Sequence, residues 1–183
     1  LPEGNFLLPR TASIPPWKSR REGIVIPSGV SYAVLGGVFP EAGRGTAKVM
    51  GRTVSLAHLW NTVRVQGGAY GTGMVLRDTG FAGFYSYRDP SAARTLDCYR
   101  ASADFLRGIA DMDLTGMITG TVAESDPLLT PRMKGKISDV LYWRQISHED
   151  RCRVRWEMLS AAPGDLAALA GPVARTPGGP GSL

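Results

Sequence analysis

The sequence predicts an α+β fold, in which an antiparallel sheet has helices packed on one face. Short apolar runs bounded by proline, serine and glycine fill the first half of the chain, and they include a hairpin signal. Apolar residues at helical spacing recur through much of the rest. With 183 residues, 43% of them hydrophobic and 20% charged, the chain has the size and composition of one soluble globular domain.

The first elements are predicted to be two strands and a helix. Residues 23–26 and 30–35 are apolar runs separated by a Pro-Ser-Gly turn or bulge. Residues 46–65 are predicted to be helical, because an apolar stripe recurs there at helical spacing. The stripe comprises Val49, Leu56, Leu59, Trp60 and Val63. Gly67 and Gly68 should end this helix, as glycine after a last turn commonly does.

A β-hairpin is predicted next. Residues 70–76 and 81–87 flank a turn that ends in Gly80, where glycine can adopt positive φ. Asp89 is predicted to cap the following helix, with Pro90 at its first position. That helix should bury one stripe, which comprises Ala92, Leu96, Tyr99, Ala103, Leu106 and Ala110.

Further helices are predicted over residues 112–122 and 131–144. Ser147 and Asp150 have the spacing of a capping box, which should open a last long helix. Inward-facing residues of this helix are predicted to be Cys152, Trp156 and Leu159. The domain is expected to occupy residues 22–170, after an extended, proline-broken lead-in at 1–21 and before a flexible tail at 171–183.

Composition argues against several function classes. The net charge of +5 comes mostly from arginine, but the arginines are scattered and are not interleaved with aromatic residues as in a single-strand binding surface. Nucleic-acid binding is therefore not expected, and codon bias in a GC-rich genome explains the arginines. No apolar run is long enough to span a bilayer, and no secretion signal opens the chain. Bacterial cytoplasm or an organellar matrix is the expected compartment.

The histidines, cysteines and glycines of the chain do not indicate a metal site or a phosphate-binding loop. His58 is expected in solvent and His148 within the capping box, while Cys98 and Cys152 are read as buried, reduced thiols. With these residues far apart, the chain alone is not expected to build a zinc site. The glycines at 67, 68, 71 and 73 follow a helix and lack a lysine, unlike a phosphate loop. They should instead keep a strand edge bare, where an extended peptide could pair.

Arg64 and Tyr70 stand on either side of this glycine turn. Taken singly, they could be a surface charge and a half-buried strand aromatic. Their spacing alone leaves a functional role open.

The segment RVQGGAYG at 64–71, the segment SYRDP at 86–90 and the helix after it resemble the last domain of presequence proteases. These enzymes belong to the pitrilysin/insulinase group of zinc metallopeptidases. The similarity extends from about residue 21 to residue 169, through Lys134-Gly135, and so covers most of the chain.

The resemblance implies four related α+β domains, arranged in two halves around a closed chamber. The first domain carries zinc on an H-x-x-E-H motif. The fourth supplies an arginine and a tyrosine, which by position are Arg64 and Tyr70 here. Tyr70 would donate to the oxygen that becomes negative during hydrolysis, and Arg64 would hold a neighbouring substrate carbonyl. Gly67, Gly68, Ala69 and Gly71 would line the bound peptide.

No H-x-x-E-H occurs in the 183 residues. The resemblance therefore implies that zinc comes from the N-terminal half of the same enzyme, that this half and short unstructured peptides are the partners, and that the chain alone is inactive. Neither nucleic acid nor membrane is implied as a partner. The alternative is a non-catalytic subunit or scaffold of the same family, in which Arg64 and Tyr70 would be remnants.

Overall fold

The structure, a computed structural model, describes residues 22–175. Their α+β architecture confirms the predicted fold class. In chain order the elements are β1 (Ser31–Val38), a 3-10 turn (Pro40–Gly43), α1 (Gly45–Thr53), a π-helical segment (Val54–Val65), β2 (Gly71–Arg77), β3 (Phe81–Asp89), α2 (Ala92–Arg107), α3 (Thr115–Ser125), α4 (Pro131–Trp143), α5 (His148–Leu159), α6 (Pro163–Ala168) and α7 (Ala170–Ala174).

The sheet is antiparallel, with β3 at its centre and the order β1-β3-β2. Because side chains alternate across a strand, one face buries Ala33, Ala82 and Phe84 against the helices. The other face exposes apolar and aromatic side chains of β1 and β3. They are Tyr32, Val34, Val38, Phe81, Tyr85 and Tyr87.

Tyr99 of α2 joins the helices to the buried face of the sheet. Its ring stacks on Phe84 with centroids 5.3 Å apart, and its hydroxyl lies 3.5 Å from the carbonyl oxygen of Ala33. Only 1% of the residue is exposed. Burial raises the pKa of Tyr99 to about 12, against opposing hydrogen bonds to Ser86 and Thr72.

This raised pKa predicts a loss of stability in alkali. The folded state favours the neutral phenol and an unfolded tyrosine ionises near pH 10, so stability is full below about pH 10 and falls as the pH rises towards 12. Two pKa units correspond to about 2 to 3 kcal/mol of unfolding free energy. Chemical unfolding of the chain from pH 8 to 12 should show that Tyr99→Phe removes this part of the decline. The exposed Tyr142→Phe is the control, and equal declines in all three proteins would contradict the prediction.

The first predicted strand is wrong. Residues 23–26 form no regular element, and Ile24 and Val25 are 86% and 98% exposed. Within residues 22–175, β1 pairs only with β3, so residues 23–26 do not extend the sheet beyond β1. The second predicted strand is correct in place and longer than expected, because pairing with β3 continues to Val38.

The helix predicted over residues 46–65 is present, but its second half is π-helical. Hydrogen bonds from i to i+5 alter which side chains share a face. Of the predicted stripe, Leu59 and Val63 are buried, whereas Leu56 and Trp60 are 40% and 41% exposed and so do not share their face. The expected glycine stop is present, and Gly68 has a φ of 80°.

The predicted cap at Asp89 is wrong. Asp89 is the last residue of β3 and is 1% exposed. Its carboxylate accepts from the Ser86 hydroxyl at 2.6 Å and from the Ser91 N–H at 2.8 Å. These bonds hold the end of the strand and delay α2 until Ala92. The α2 stripe is buried at Tyr99, Ala103 and Leu106, but Ala110 lies beyond the helix and is exposed.

Helix α3 begins later than predicted. The Asp113 carboxylate accepts from the Thr115 N–H at 2.9 Å and from the Thr115 hydroxyl at 2.6 Å, so the first turn forms at Thr115 and not at residue 112. These bonds lower the pKa of Asp113. Helix α4 matches its predicted range apart from its last residue, and none of its residues is buried.

The capping box of α5 is confirmed. The Ser147 hydroxyl accepts from the Asp150 N–H at 3.0 Å, and the Asp150 carboxylate accepts from the Ser147 N–H at 3.1 Å. Hydrogen bonds from the Ser147 hydroxyl and from Arg153 lower the pKa of Asp150 to about 2. The predicted inward face is wrong, because Cys152, Trp156 and Leu159 are exposed. Instead, α5 turns Met158 inward and packs against α1.

Both histidines have structural partners. The Nε2 atom of His58 lies 3.0 Å from the Cys98 carbonyl oxygen, and its ring stacks on Phe105 at 5.0 Å, so the expected solvated position is wrong. The Nε2 atom of His148 lies 3.3 Å from Cys152 Sγ. Cys98 is half-buried and Cys152 is exposed, so only Cys98 approaches the predicted burial; neither forms a disulfide.

The predicted segment boundaries are only partly visible. Helix α7 occupies the first residues of the segment predicted as a tail from 171. The rest of that tail, 176–183, and the lead-in at 1–21 lie outside the described residues.

Candidate functional site

The π-helical segment ends in a tight reversal that delivers the chain to Tyr70. The Gly68 N–H donates to the Arg64 carbonyl at 2.9 Å, and the Ala69 N–H donates to the Val63 carbonyl at 3.2 Å. Gly68 adopts the left-handed conformation, which a residue with a Cβ rarely does. The reversal therefore places Arg64 on one side and Tyr70 on the other, directly before β2.

Arg64 is held against an aromatic ring. Its guanidinium carbon lies 3.9 Å from the centre of the Trp60 ring, within the distance for a cation–π interaction. Arg64 is half-buried, and Trp60 is 41% exposed. The stack limits the orientations of a long, flexible side chain at a point that solvent can reach.

Tyr70 is 59% exposed and rests on the outer face of the sheet. Its ring centroid lies 5.6 Å from that of Tyr87, and the Arg88 guanidinium carbon lies 5.6 Å from the centre of the Tyr70 ring. Its N–H donates to the Arg88 carbonyl at 3.3 Å. Ring contacts and a backbone bond thus orient a phenol whose side chain remains accessible.

Arg88 has a strained backbone. Its φ is 49°, in the left-handed region that non-glycine residues seldom occupy. The neighbouring Asp89 is anchored by its two hydrogen bonds, which help to hold this geometry. Strained residues are found preferentially at functional sites, and a π-helix is also frequent there. In the sequence, Tyr70 lies between the π-helical segment and the strained Arg88.

Gly71 and Gly73 leave room for tyrosine rings. A Cβ on Gly71 would overlap the ring of Tyr87, and one on Gly73 would lie 2.9 Å from the Tyr85 hydroxyl. The Tyr85 and Tyr87 rings, with centroids 6.5 Å apart, therefore cover the glycine positions on the sheet face. β2 is an edge strand, as the predicted pairing with an extended peptide requires. Gly71 and Gly73, however, make room for side chains on the face of the sheet and not at its edge.

Gly71→Ala is expected to displace the Tyr87 ring and so disturb Tyr70. The clash is with an exposed side chain that can move, so unfolding free energy should change by less than about 1 kcal/mol. NMR shifts of the Tyr70 ring should change, and they should not change in Gly116→Ala, where nothing lies within 4 Å of the added Cβ. Unchanged Tyr70 shifts in Gly71→Ala would mean that the ring stack does not orient Tyr70.

The other predicted substrate-binding positions shape the turn. A Cβ on Gly67 would overlap the Val63 carbonyl oxygen, and Ala69 is 3% exposed. The N–H groups of Gly68 and Ala69 are already bonded within the reversal. Contact between these residues and a peptide remains a prediction.

A groove with a volume of about 420 Å³ runs beside β2. The exposed side chains of Leu56 and Trp60 line it from the π-helical segment, and Tyr85 lines it from the sheet. In the sequence, Leu56 and Trp60 belong to the same α-helical stripe as Leu59 and Val63, which the structure buries. Sequence gave no signal for the strain at Arg88.

Zinc does not fit the donor set of the described chain. Across residues 22–175, no three histidine, cysteine, aspartate or glutamate side chains are placed to hold one metal ion. The two histidines instead bond to a carbonyl and to a thiol. Among the described helices, none combines the length and apolar character needed to cross a membrane.

The class of protein follows from comparison with known families. The model of the PreP C-terminal domain matches residues 21–175, and this chain belongs to that family. The match includes the whole reversal and the sheet on which Tyr70 rests.

Individual relatives agree with this assignment. The chain is 38% identical to presequence protease 1, chloroplastic/mitochondrial, of Arabidopsis thaliana, over 82% of this chain and 14% of the relative. It is 31% identical to the protein HypA of Clostridium perfringens, over 78% of this chain and 15% of that protein. The mitochondrial presequence protease of Drosophila melanogaster is 30% identical over 66% of this chain and 12% of its own length. The chain thus spans about one seventh of its relatives.

Proposed function

We propose that this chain is the C-terminal, substrate-binding domain of a zinc metalloendopeptidase that degrades short unstructured peptides. Arg64 and Tyr70 are its contribution to a composite active site. The observation that carries the proposal is the accessible Tyr70 phenol, held between a left-handed glycine, the strained Arg88 and the Tyr87 ring. Such support is more than a surface tyrosine needs, and it suits a group that must be in place before the substrate arrives.

Tyr70 suits the role of hydrogen-bond donor. When water attacks a peptide carbonyl, the carbonyl oxygen gains negative charge, and a donor already aimed at it lowers the barrier. Because the Tyr70 phenol is oriented beforehand, little reorganisation is needed as the charge develops. The cationic Arg88 beside the ring adds favourable potential for an anion.

Arg64 suits the binding of a neighbouring substrate carbonyl. Its guanidinium presents several N–H donors in one plane, and the Trp60 ring restricts that plane. An extended peptide that lies along β2 would then meet Arg64 and Tyr70 at the end of the strand.

Metal chemistry belongs to another part of the enzyme in this proposal. Zinc, when bound by ligands from the N-terminal half of the same polypeptide, would supply the activated water, and that half would be the main partner of this chain. The isolated chain is therefore inactive. The mitochondrial and chloroplast names of several relatives support an organellar matrix as one location, and the bacterial relative supports a bacterial one.

The proposal is tested by comparing the native polypeptide with this chain alone. An antibody against the chain should detect a native product several times larger than 19.6 kDa. That product should cleave a fluorogenic unstructured peptide and stop after chelation, whereas the chain alone should cleave nothing. A native product of about the size of this chain, or cleavage by the chain alone that survives chelation, would overturn the proposal.

A further inference from the structure

The groove beside β2 adjoins the reversal that carries Arg64 and Tyr70, and the inference drawn from it rests on the proposed function. Three elements meet around its apolar part: the π-helical segment, β2 and β3. Its volume of about 420 Å³ is large enough for one or two amino-acid side chains. Trp60 belongs both to the groove wall and to the stack with Arg64, so the two are continuous.

One side of the groove is the outer edge of β2. The Met74 N–H points away from β3 and donates to the Ser55 hydroxyl at 2.9 Å. Because residues alternate along an antiparallel strand, the N–H and C=O of Thr72 point to the same edge. Thr72 lines the groove, two residues after Tyr70. An extended backbone can therefore pair with Thr72, and Ser55 ends this pairing at Met74.

The rest of the lining is mixed: α1 and α3 contribute the ion-paired Arg52 and Glu124, whereas the π-helical segment and β3 contribute an apolar stretch. Leu56 is 40% exposed, Trp60 is 41% exposed, and Tyr85 is 37% exposed across from them. An α-helical stripe would have turned Leu56 and Trp60 into the core, whereas the π-helical segment turns them out. Covering these side chains would be favourable by about 25 cal/mol per Å² of apolar surface. A peptide that pairs with Thr72 brings its own side chains to this wall.

We propose that this groove is a side-chain subsite, which selects an apolar residue of the extended peptide bound at Arg64 and Tyr70. Trp60 and Leu56 form its wall and determine the preference. Trp60 has a second role as the positioning residue for Arg64, since it lies under the guanidinium. The substrates favoured by this domain are thus unstructured peptides with a leucine-like or aromatic side chain at one fixed distance from the cleaved bond.

The test uses the complete enzyme and a peptide series. Each peptide carries one leucine at a different position in an alanine- and serine-rich background, and kcat/KM is compared with that of the peptide that has alanine there. The unchanged enzyme should favour leucine at one position by roughly tenfold or more, as an apolar pocket permits. Trp60→Ala should reduce this ratio to about one, and Trp60→Phe should retain most of it.

Two further variants keep the test decisive. Leu56→Ser should lower the leucine-to-alanine ratio without removing the stack under Arg64, which covers the case in which Trp60→Ala does not fold. Trp143→Ala removes an 80% exposed tryptophan from α4 and should leave the ratio unchanged. No preference for leucine at any position, or the same preference in all variants, would overturn the subsite. The subsite would also be overturned if Trp60→Ala lowered kcat/KM equally for every peptide while Leu56→Ser kept the leucine-to-alanine ratio. Trp60 would then have only its positioning role.

Failure of the subsite can be told apart from failure of the proposed function. If Tyr70→Phe lowers turnover while Trp60→Ala and Leu56→Ser keep the leucine preference, only the subsite is wrong. If Tyr70→Phe turns over every peptide at the same rate as the unchanged enzyme, the proposed catalytic role of this domain is wrong. The subsite proposal is then wrong as well, because it rests on that role.

Discussion

Tyr70→Phe in the complete enzyme is expected to lower kcat by roughly 100- to 1000-fold while KM changes little. The substitution removes one hydroxyl and keeps the ring, so the contact with Tyr87, 5.6 Å between centroids, is preserved. The lost hydrogen bond strengthens only as the carbonyl oxygen becomes negative, and its loss therefore raises the barrier more than it weakens substrate binding.

Steady-state kinetics with one unstructured peptide measure this effect, and single-turnover rates separate chemistry from product release. Tyr142→Phe, which alters a 70% exposed phenol on α4, is the matched control and should behave as the unchanged enzyme. A rise in KM at constant kcat would make Tyr70 a binding residue, and the proposed donor role would then be wrong.

Gly45→Ala is expected to lower the free energy of unfolding more than Gly71→Ala or Gly116→Ala. Gly45 begins α1 where that helix meets α5, and its N–H donates to the Glu157 carboxylate at 2.7 Å. An added Cβ would overlap the Val154 carbonyl oxygen and lie 2.7 Å from the Met158 nitrogen. These are backbone atoms inside a helix, so relief requires α5 to move as a whole. We expect a loss of unfolding free energy of at least about 3 kcal/mol, at the upper end of overpacking effects.

Chemical and thermal unfolding of the chain test this prediction. Gly116→Ala places the same methyl group on α3 with nothing within 4 Å, and it should be neutral or slightly stabilising. If the two variants were equally stable, α1 and α5 would not be packed as closely as described. A protein with Gly45→Ala that does not fold at all would agree with the prediction, provided that Gly116→Ala folds.

Features that depend on a few adjacent residues could be predicted from the sequence. The Ser147–Asp150 box and the Gly80 turn are local, because their hydrogen bonds or dihedral angles involve residues within a few positions. The face that α5 buries was not predictable, because Trp156 and Met158 are both apolar and only the packing against α1 decides between them. The cap at Asp89 failed because a bond to Ser86 inside the strand competed with capping.

The candidate site was predictable only in part. Arg64 and Tyr70 were singled out by resemblance to a family, since spacing alone left their role open. The stack of Arg64 on Trp60 and the strain at Arg88 depend on the π-helical segment and on the sheet register, and no short motif encodes either. An α-helical spacing over residues 54–65 placed Leu56 and Trp60 on one face with the buried Leu59 and Val63, and so did not indicate a groove.

The π-helical segment makes the geometry at Arg64 sensitive to insertions and deletions. In a π-helix, as in an α-helix, each residue rotates the chain by a large part of a turn, so deleting one residue between Trp60 and Arg64 would change which side of the helix carries the arginine relative to the ring. A relative whose helix is α-helical throughout should therefore align to residues 54–65 with a gap. Along an evolutionary lineage, the number of residues in this segment should therefore change less readily than their identity.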